Sequence, residues 1–255
     1  MKSDYSPFSL SQKTILVTGS SSGIGKGIAV VCAKMGATVI LNGRNTERLR
    51  ETYSLLPEGN HQIVAADLAN SDEVNQMIAL LPPLDGVVHC AGIGHRKVCK
   101  LIDEIDIDTV INSNFKMTVL LQSKLMQMKK IKRAASIVFI SSRAAKSPSI
   151  GNAVYSASKG AINSYARCLA LELASRQVRV NCVCPAMVWS ELIFQEGITH
   201  DDMLIAQSKY PLKRFGTPED VAHLVVYMLS DASLWMTGSF IEITGGENII
   251  QTLVR

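Results

Sequence analysis

Seven short apolar runs, rich in valine and isoleucine, alternate along the chain with longer stretches that carry apolar residues at helical spacing. Within each run consecutive residues are apolar, so both faces of the strand must be covered, as in a parallel sheet with helices above and below it. The runs cover residues 14–17, 38–41, 62–65, 86–88, 136–140, 178–184 and 240–243. This alternation predicts an α/β fold with a seven-stranded parallel sheet and helices on both faces.

The intervening stretches predict the helices that cover this sheet. They span residues 24–35, 46–56, 71–81, 108–130, 154–174 and 219–229. No linker, repeat or low-complexity segment interrupts the alternation, so we predict one doubly wound domain over residues 1–255, large enough to bury a core without disulfides. Residues 186–209 follow the sixth strand and exceed an ordinary strand-to-helix connection, which predicts a substrate lid.

Composition narrows the function classes and the compartment. The 26 basic and 22 acidic residues give a net charge of +4 and are scattered, without the basic stripe and interleaved aromatics of a nucleic-acid-binding surface. No window approaches the roughly 18 uncharged apolar residues of a membrane span. Residues 1–12 lack the apolar core of a signal peptide, and the six cysteines form no CxxC pair and lie in contexts typical of small buried side chains. We therefore expect a cytoplasmic protein without membrane or nucleic-acid partners.

A glycine-rich loop, TGSSSGIG at residues 18–25, joins the first predicted strand to the first helix. Its three glycines permit a tight turn, a close approach of the backbone to a pyrophosphate and close helix packing, while the helix N-terminus offers N–H donors. An ordinary glycine-rich turn is the alternative, but the position between a strand and a helix favours a dinucleotide site. The predicted contacts are Gly19, Ser21, Ser22, Gly23, Ile24 and Gly25.

The end of the second predicted strand indicates which dinucleotide binds. NAD-binding folds place an acidic side chain there, which accepts hydrogen bonds from the ribose 2′-hydroxyl. This chain has Asn42, Gly43 and Arg44 instead, and a guanidinium matches a 2′-phosphate. An arginine that merely flanks the next helix is the alternative. We predict NADP(H) as the cofactor, with Arg44 as its phosphate partner.

Of the six tyrosines, only Tyr155 has a lysine four residues later, at Lys159. On a helix the two share a face, and an ammonium beside a phenol stabilises the phenolate left after proton transfer. The serine pair that ends the fifth strand adds a hydroxyl, Ser142, which can hold a carbonyl oxygen while hydride arrives from a nicotinamide. Ser142, Tyr155 and Lys159 therefore predict a carbonyl-reduction site, with a helix-surface pair as the alternative for the last two.

These motifs recur in the order and spacing of the short-chain dehydrogenase/reductase family, which the chain resembles from residue 14 to residue 246. Further matches are Cys90-Ala91-Gly92, Asn114 and Pro185, and residues 211–222 and 237–246 are similar to the 3-oxoacyl-(acyl-carrier-protein) reductase branch. The resemblance implies a Rossmann-type fold. It also implies a homotetramer, in which the two long helical stretches would form subunit contacts.

The resemblance implies a role for each matching residue. Tyr155 is implied to be the general acid of reduction, Ser142 the carbonyl-polarising hydroxyl, and Lys159 a partner of both Tyr155 and the nicotinamide ribose. Asn114 is implied to order a water against the lysine in a proton relay, and Asn112 is its nearby decoy. The remaining implied cofactor contacts are Asp67 and Leu68 at the adenine, Cys90, Ala91, Gly92 and Pro185, and Val188 with Ser190 at the nicotinamide carboxamide.

Three positions depart from the family pattern. The usual Asn-Asn-Ala-Gly after the fourth strand is His89-Cys90-Ala91-Gly92, which loses both amides and puts some strand-to-strand hydrogen bonding in doubt. The usual Pro-Gly is Pro185-Ala186, so residue 186 should avoid conformations that only glycine tolerates. The usual threonine is Ser190, which keeps the hydroxyl.

Two further groups of side chains permit a structural or a functional interpretation. A zinc cluster of His89, Cys90, His95 and Cys99 matches no standard finger or ribbon spacing, and we predict no metal site. Large apolar residues in the predicted lid either line a substrate cleft or pack a helix pair against the body. They are Met187, Trp189, Ile193, Phe194 and Met203.

Arg133, before the fifth predicted strand, and Arg176, at the end of the helix that begins at Tyr155, match positions that acyl-carrier reductases use for docking. An acidic acyl-carrier protein would dock at a basic rim beside the substrate cleft. Cations favoured by a helix dipole are the alternative interpretation.

The chain is thus expected to be an NADPH-dependent reductase of a ketone, above all a 3-oxoacyl thioester. The first alternative is an NADP-dependent dehydrogenase of a sugar, polyol, steroid or small alcohol on the same fold. The second is a non-catalytic dinucleotide sensor, against which the four filled catalytic positions argue.

Overall fold

The computed structural model describes residues 6–189 and 199–247. Its sheet has seven strands in the order β3-β2-β1-β4-β5-β6-β7, and every neighbouring pair is parallel. The strands are β1 Thr14–Thr18, β2 Thr38–Asn42, β3 Gln62–Ile63, β4 Leu84–His89, β5 Ile131–Ile140, β6 Arg179–Pro185 and β7 Phe240–Ile243. The predicted doubly wound, Rossmann-type sheet is therefore confirmed.

Helices cover both faces of this sheet. They are α1 Gly23–Lys34, α2 Thr46–Tyr53, α3 Ser71–Leu80, α4 Glu104–Ile111, α5 Met117–Gln127, α6 Ala153–Leu173, α7 His200–Ser208 and α8 Pro218–Leu229. Side chains from α3, α5 and α6 fill one core, and side chains from α1, α2 and α8 fill the other. Along β1, Leu16 points into the first core while Ile15 and Val17 point into the second, which explains why the strand is apolar at consecutive positions.

The helix predicted over residues 108–130 has three parts. It begins at Glu104, where Asp103 and Asp106 form a capping box, and it ends by Lys129, whose φ is 54°. Between α4 and α5 the backbone forms a π-helical turn, Asn112–Lys116. The apolar periodicity of the sequence does not reveal a π-helical turn, because such a turn shifts the following side chains by only one position.

Strand β5 begins five residues before its apolar run. Residues 132–134 are exposed, and Ala134 has a φ of 57° where the pairing with β4 is irregular. This polar, irregular part escapes a search for apolar runs. As a correction, Arg133 lies inside β5 and not before it.

All six cysteines are free thiols. Cys32, Cys182 and Cys184 are buried, as expected, but Cys99 and Cys168 are exposed. The expectation of burial was wrong for these two, since Cys99 opens a 3₁₀ turn, Cys99–Leu101, and Cys168 lies on the outer face of α6. Within the described ranges, no helix is both long and apolar enough to cross a membrane.

Candidate active site

A cleft of about 540 Å³ runs across the carboxyl ends of the strands, where the strand order reverses between β1 and β4. Open parallel sheets bind their ligands at such switch points. The structure brings most of the predicted site residues into the wall of this cleft. They are Gly19, Ser21, Ser22, Gly23, Ile24, Gly25, Arg44, Asp67, Leu68, Cys90, Ala91, Gly92, Ser142, Tyr155, Lys159 and Pro185.

The glycine loop packs closely against its own backbone and against the backbone that follows β4. Gly19 has a φ of 66°, and a Cβ there would lie 2.9 Å from Ala91 Cα. A Cβ on Gly25 would collide with the Gly19 carbonyl. Ser22 begins α1 without a side-chain cap, and the first turn holds no acidic residue, so its N–H groups suit an anion.

Two exposed arginines, Arg44 and Arg48, line the cleft beyond the end of β2. Asn45 caps α2 by accepting a 2.9 Å hydrogen bond from the Arg48 amide, which places Arg48 in the first turn. Sequence reasoning missed Arg48. Its sequence position did carry a signal. A cation in the first turn of a helix, where acidic residues are usual, suggests that an anion binds nearby.

The turn after residue 66 contributes Asp67, the one carboxylate among the described residues of the cleft wall. Its Oδ1 accepts a 3.0 Å bond from the Ala69 amide, and its own amide donates to Glu73 Oε2 at 2.8 Å. Leu68 packs against the core. The turn is therefore held by its own hydrogen bonds and by α3.

Thr18 supplies the hydrogen bonds that the missing amides put in doubt. Its Oγ1 accepts bonds from the amides of Cys90 (3.0 Å) and Ala91 (3.2 Å), which fasten the end of β4 to the end of β1. Ala186 is absent from the described residues with positive φ, in accord with its replacing a glycine, and its amide donates to the Ile243 carbonyl at 3.0 Å.

His89 and Cys90, which stand where the family has two asparagines, are both uncharged near neutrality. The His89 ring stacks on Phe139 with centroids 4.7 Å apart, and its Nε2 lies 2.9 Å from Gln122 Oε1. Burial lowers the pKa of His89 to about 4 and raises the pKa of the Cys90 thiol to about 12.

Ser142, Tyr155 and Lys159 meet at the carboxyl end of β5. Lys159 is 7% exposed and donates a 2.9 Å bond to the Ile140 carbonyl, while its Nζ lies 5.8 Å from the centroid of the Tyr155 ring. Ser142 Oγ accepts a 3.1 Å bond from the Ala144 amide, which leaves its hydroxyl proton free to be donated. Two hydroxyls and an ammonium thus share the wall of one cleft.

Asn114 lies behind the cleft, in the π-helical turn, and Asn112 is exposed. Asn114 Oδ1 accepts from the Ile93 amide at 2.8 Å, and its Nδ2 donates to the Ile93 carbonyl at 3.0 Å and to Ser158 Oγ at 3.1 Å. A Cβ on Gly92 would lie 2.9 Å from Asn114 Oδ1 and 3.7 Å from Lys159 Nζ. Asn114 therefore ties the loop after β4 to α6 beside Lys159.

The predicted lid contains α7, and the described part of it packs on the body. Val188 is buried and pairs with Gly216 in an isolated parallel bridge. Met203 is buried against Tyr210 and Phe215, and Trp189 Nε1 donates to Gln207 Oε1 at 3.1 Å. Ser190, Ile193 and Phe194 lie outside the described residues.

The structure does not bring Arg133 and Arg176 to the cleft. Arg133 is exposed near the amino end of β5, and Arg176 Nη2 donates to the Ile131 carbonyl at that same end. Seven residues of strand, about 20 Å, separate Arg133 from the carboxyl end of β5. The expected basic rim beside the cleft of the same chain is therefore wrong.

The two histidines weighed as zinc ligands have other polar neighbours. His89 contacts Gln122, and His95 Nε2 lies 2.9 Å from Asp106 Oδ1. Across residues 6–189 and 199–247, no three His, Cys, Asp or Glu side chains form a group that could hold a metal ion.

The model of a family described as enoyl-(acyl carrier protein) reductase matches residues 19–248. A 3-oxoacyl-(acyl-carrier-protein) reductase of Rickettsia felis is 34% identical over 237 residues, which cover 93% of this chain and 97% of the relative. An L-xylulose reductase of Caenorhabditis elegans is 34% identical over 249 residues, 94% of this chain and 97% of the relative. A crystal structure of 3-ketoacyl-(acyl-carrier-protein) reductase from Brucella melitensis, complexed with NADH, superposes with a TM-score of 0.83 at 26% identity, covering 94% of this chain and 99% of that one.

Proposed function

This chain belongs to the short-chain dehydrogenase/reductase family, and on that basis we propose that it is an NADPH-dependent reductase of the ketone in a 3-oxoacyl thioester. The observation that carries the proposal is the meeting of Ser142, Tyr155 and Lys159 in the cleft that also contains the glycine loop. A reductase needs its proton donor and its dinucleotide in one cavity.

The residues of the cleft fit a dinucleotide. Gly19 and Gly25 allow the backbone at the floor of the cleft to pack closely, because a Cβ at either position would meet backbone, and the first turn of α1 offers N–H groups to a pyrophosphate. Asp67 and Leu68 would bound the adenine end, and Pro185 the nicotinamide end, toward which we also assign Val188 and Ser190. A nicotinamide bound there supplies the hydride.

The preference for NADP(H) rests on charge at the end of β2. Arg44 and Arg48 both line that end of the cleft, where no carboxylate follows the strand. Two guanidinium groups attract a 2′-phosphate, whereas an acidic residue would repel it. The Brucella neighbour was solved with NADH, so the proposal for this chain depends on its own arginines.

The proton and the developing negative charge are handled by three side chains. The Ser142 hydroxyl donates a hydrogen bond to the carbonyl oxygen of the substrate, and the Tyr155 hydroxyl transfers its proton to that oxygen. The Lys159 ammonium, held by the Ile140 carbonyl, stabilises the phenolate that results. Asn114 holds the Ile93 backbone beside Lys159, and we assign it a place in the proton relay that restores the phenol.

A second candidate function is the reduction or oxidation of a sugar, polyol, steroid or small alcohol with NADP(H). The L-xylulose reductase and the Rickettsia reductase are each 34% identical to this chain. Sequence identity therefore supports a sugar substrate as well as it supports a 3-oxoacyl thioester. A non-catalytic sensor is the weakest candidate, because all four catalytic positions are filled.

We also propose a cytoplasmic homotetramer that accepts an acyl-carrier protein at Arg133 and Arg176. Free thiols at all six cysteines support a reducing compartment. Exposed Leu120 on α5 and Leu171 on α6 are apolar groups that a subunit contact would cover. Because both arginines lie at the opposite end of β5 from the cleft, a carrier bound there would serve the cleft of a neighbouring subunit.

The experiment that tests the proposed function is a substrate comparison with purified protein. NADPH oxidation is followed with an acetoacetyl thioester, L-xylulose and a panel of simple ketones and steroids. The proposal predicts the highest kcat/KM for the thioester. A higher kcat/KM for a sugar or steroid would transfer the assignment to the second candidate, and NADPH binding without turnover of any ketone would favour the sensor.

A further inference from the structure

Arg143, the residue directly after Ser142, carries its charge in a largely buried position. It opens a 3₁₀ turn, Arg143–Ala145, that Ser142 caps. Its side chain is 14% exposed, its Nη1 lies 3.3 Å from Glu247 Oε1, and its buried Nε has no hydrogen-bond partner among the described residues. A guanidinium removed from water in this way needs its counter-charge, so the Glu247 carboxylate determines where it lies.

The pair spans the carboxyl end of β6. Glu247 follows β7, Arg143 follows β5, and β6 lies between those two strands. The Ala186 amide, just after β6, donates to the Ile243 carbonyl at the end of β7. The ion pair therefore fastens the turn that carries the catalytic serine to the segment that leaves the far strand.

Tyr210 packs beside the segment that carries Glu247, since a Cβ on Gly245 would lie 3.4 Å from its Cδ1. Its ring is buried with Met203 of α7 and with Phe215. Burial first, and then the Glu247 carboxylate, raise the pKa of the Tyr210 phenol, while the charge of Arg143 acts in the opposite direction. The Tyr210 hydroxyl itself is buried and makes no hydrogen bond to a described residue.

We propose that Arg143 is a positioning residue, which holds the Ser142 turn through Glu247 and so fixes the direction in which the Ser142 hydroxyl donates. The catalytic consequence rests on the proposed function, because it assumes that Ser142 polarises a carbonyl. The hold on the turn does not depend on that function and can be measured without substrate or cofactor.

The same loop contains a matched control pair. Lys146 Nζ lies 2.9 Å from Glu242 Oε1, so it also joins the loop after β5 to β7. The Lys146 side chain is 78% exposed, however, and exposed ion pairs are screened by water and salt. Lys146→Met and Arg143→Met remove the same charge from the same loop, and only the second removes the buried partner of Glu247.

Hydrogen exchange of the free protein tests the hold on the turn. The amide of Ala144 donates to Ser142 Oγ at 3.1 Å, and the amide of Ser147 donates to the Arg143 carbonyl at 2.9 Å. Arg143→Met and Glu247→Gln should each accelerate exchange in residues 142–147 by about fivefold or more, while Lys146→Met leaves it unchanged. Equal exchange in the Arg143 and Lys146 variants would overturn the proposal. Glu247→Gln preserves shape, so it decides the question if Arg143→Met does not fold.

Steady-state kinetics tests the consequence for catalysis. Arg143→Met should lower kcat for the ketone about tenfold or more with little change in KM for NADPH, because a displaced hydroxyl weakens the transition state and not cofactor binding. Arg143→Lys should recover part of the loss, and Lys146→Met should stay within about twofold of the unaltered protein. An Arg143→Met kcat equal to that of Lys146→Met would overturn the positioning role. If the unaltered protein reduces no ketone, the proposed function fails, and hydrogen exchange still decides whether Arg143 holds the turn.

Discussion

Lys159 Nζ donates a 2.9 Å hydrogen bond to the Ile140 carbonyl and lies 5.8 Å from the centroid of the Tyr155 ring. Ile140 is the last residue of β5, and Ser142 follows it two residues later. One hydrogen bond therefore joins the helix that carries the phenol to the strand that positions the serine. The phenol and the ammonium are thus carried by one helix, and that helix is bonded to the strand that precedes the serine.

Replacement of Arg44 by alanine should reduce the preference for NADPH over NADH. Loss of a charge-assisted contact with the 2′-phosphate should weaken NADPH binding roughly tenfold or more, while NADH binding changes little. Titration of each dinucleotide by fluorescence measures both affinities. Arg50→Ala is the matched control, because Arg50 is an exposed cation of α2 outside the cleft wall. Equal affinities of the unaltered protein for NADPH and NADH would contradict the assignment of Arg44 as a partner of the 2′-phosphate.

His89 should make the stability of the fold depend on pH. Its pKa is about 4 in the folded protein against an ordinary value of 6.5, so between these values the unfolded chain binds a proton that the folded chain does not. The free energy of unfolding should therefore fall as the pH drops from 6.5 toward 4, by about 3 kcal/mol from this group, and be unaffected by it above 6.5.

Chemical unfolding of His89→Asn across that pH range tests this expectation. The variant should lose most of the decline that the unaltered protein shows, whatever its stability at neutral pH. His223→Asn, at an exposed position of α8, should keep the full decline. Parallel pH profiles for His89→Asn and the unaltered protein would show that this ring does not stay neutral in the folded state.

Asn114→Ala should destabilise the fold as well as the site. It leaves both the amide and the carbonyl of Ile93 without their side-chain partner, which should cost about 3 kcal/mol in the free energy of unfolding. The exposed Asn112, two residues earlier, provides the control, and Asn112→Ala should change stability by less than about 0.5 kcal/mol. Similar losses in urea titrations of the two variants would refute the clamp described for Asn114.

Arg133→Glu isolates the proposed carrier-docking role. Arg133 is exposed, whereas Arg176 also holds the Ile131 carbonyl, so the single variant at Arg133 separates docking from folding. The KM for a carrier-bound 3-oxoacyl substrate should rise severalfold and become less sensitive to salt, because exposed charges act mainly on association. A small acetoacetyl thioester should react as before. Arg50→Glu gives the same change of charge elsewhere, and an equal effect of the two variants would exclude specific docking.

The fold and most of the cleft could be predicted because their signals are local. A strand that sends Leu16 to one core and Val17 to the other must be apolar at consecutive positions, and that pattern is visible in the sequence. Gly25 is likewise dictated by its immediate surroundings, since a Cβ there would collide with the Gly19 carbonyl. Such requirements hold whatever the rest of the chain does.

The features that the sequence did not reveal depend on distant parts of the chain. The hydrogen bond from Arg176 to the Ile131 carbonyl places Arg176 at the amino end of β5, where Arg133 also lies, and no local sequence pattern reveals that the cleft is at the opposite end. The pairing of Arg143 with Glu247 joins residues about a hundred positions apart through the order of three strands. Arg48 is the exception, because its place in the first turn of α2 is set by the neighbouring Asn45 cap.

The most direct measurement of the central claim is the turnover of Tyr155→Phe with NADPH and an acetoacetyl thioester. Phenylalanine keeps the ring beside Lys159 and removes only the proton donor, so we predict that turnover falls at least about a hundredfold while NADPH affinity is retained. Tyr165→Phe, on the same helix and outside the cleft wall, should retain normal turnover. Near-normal turnover of Tyr155→Phe would contradict the assignment of Tyr155 as the general acid.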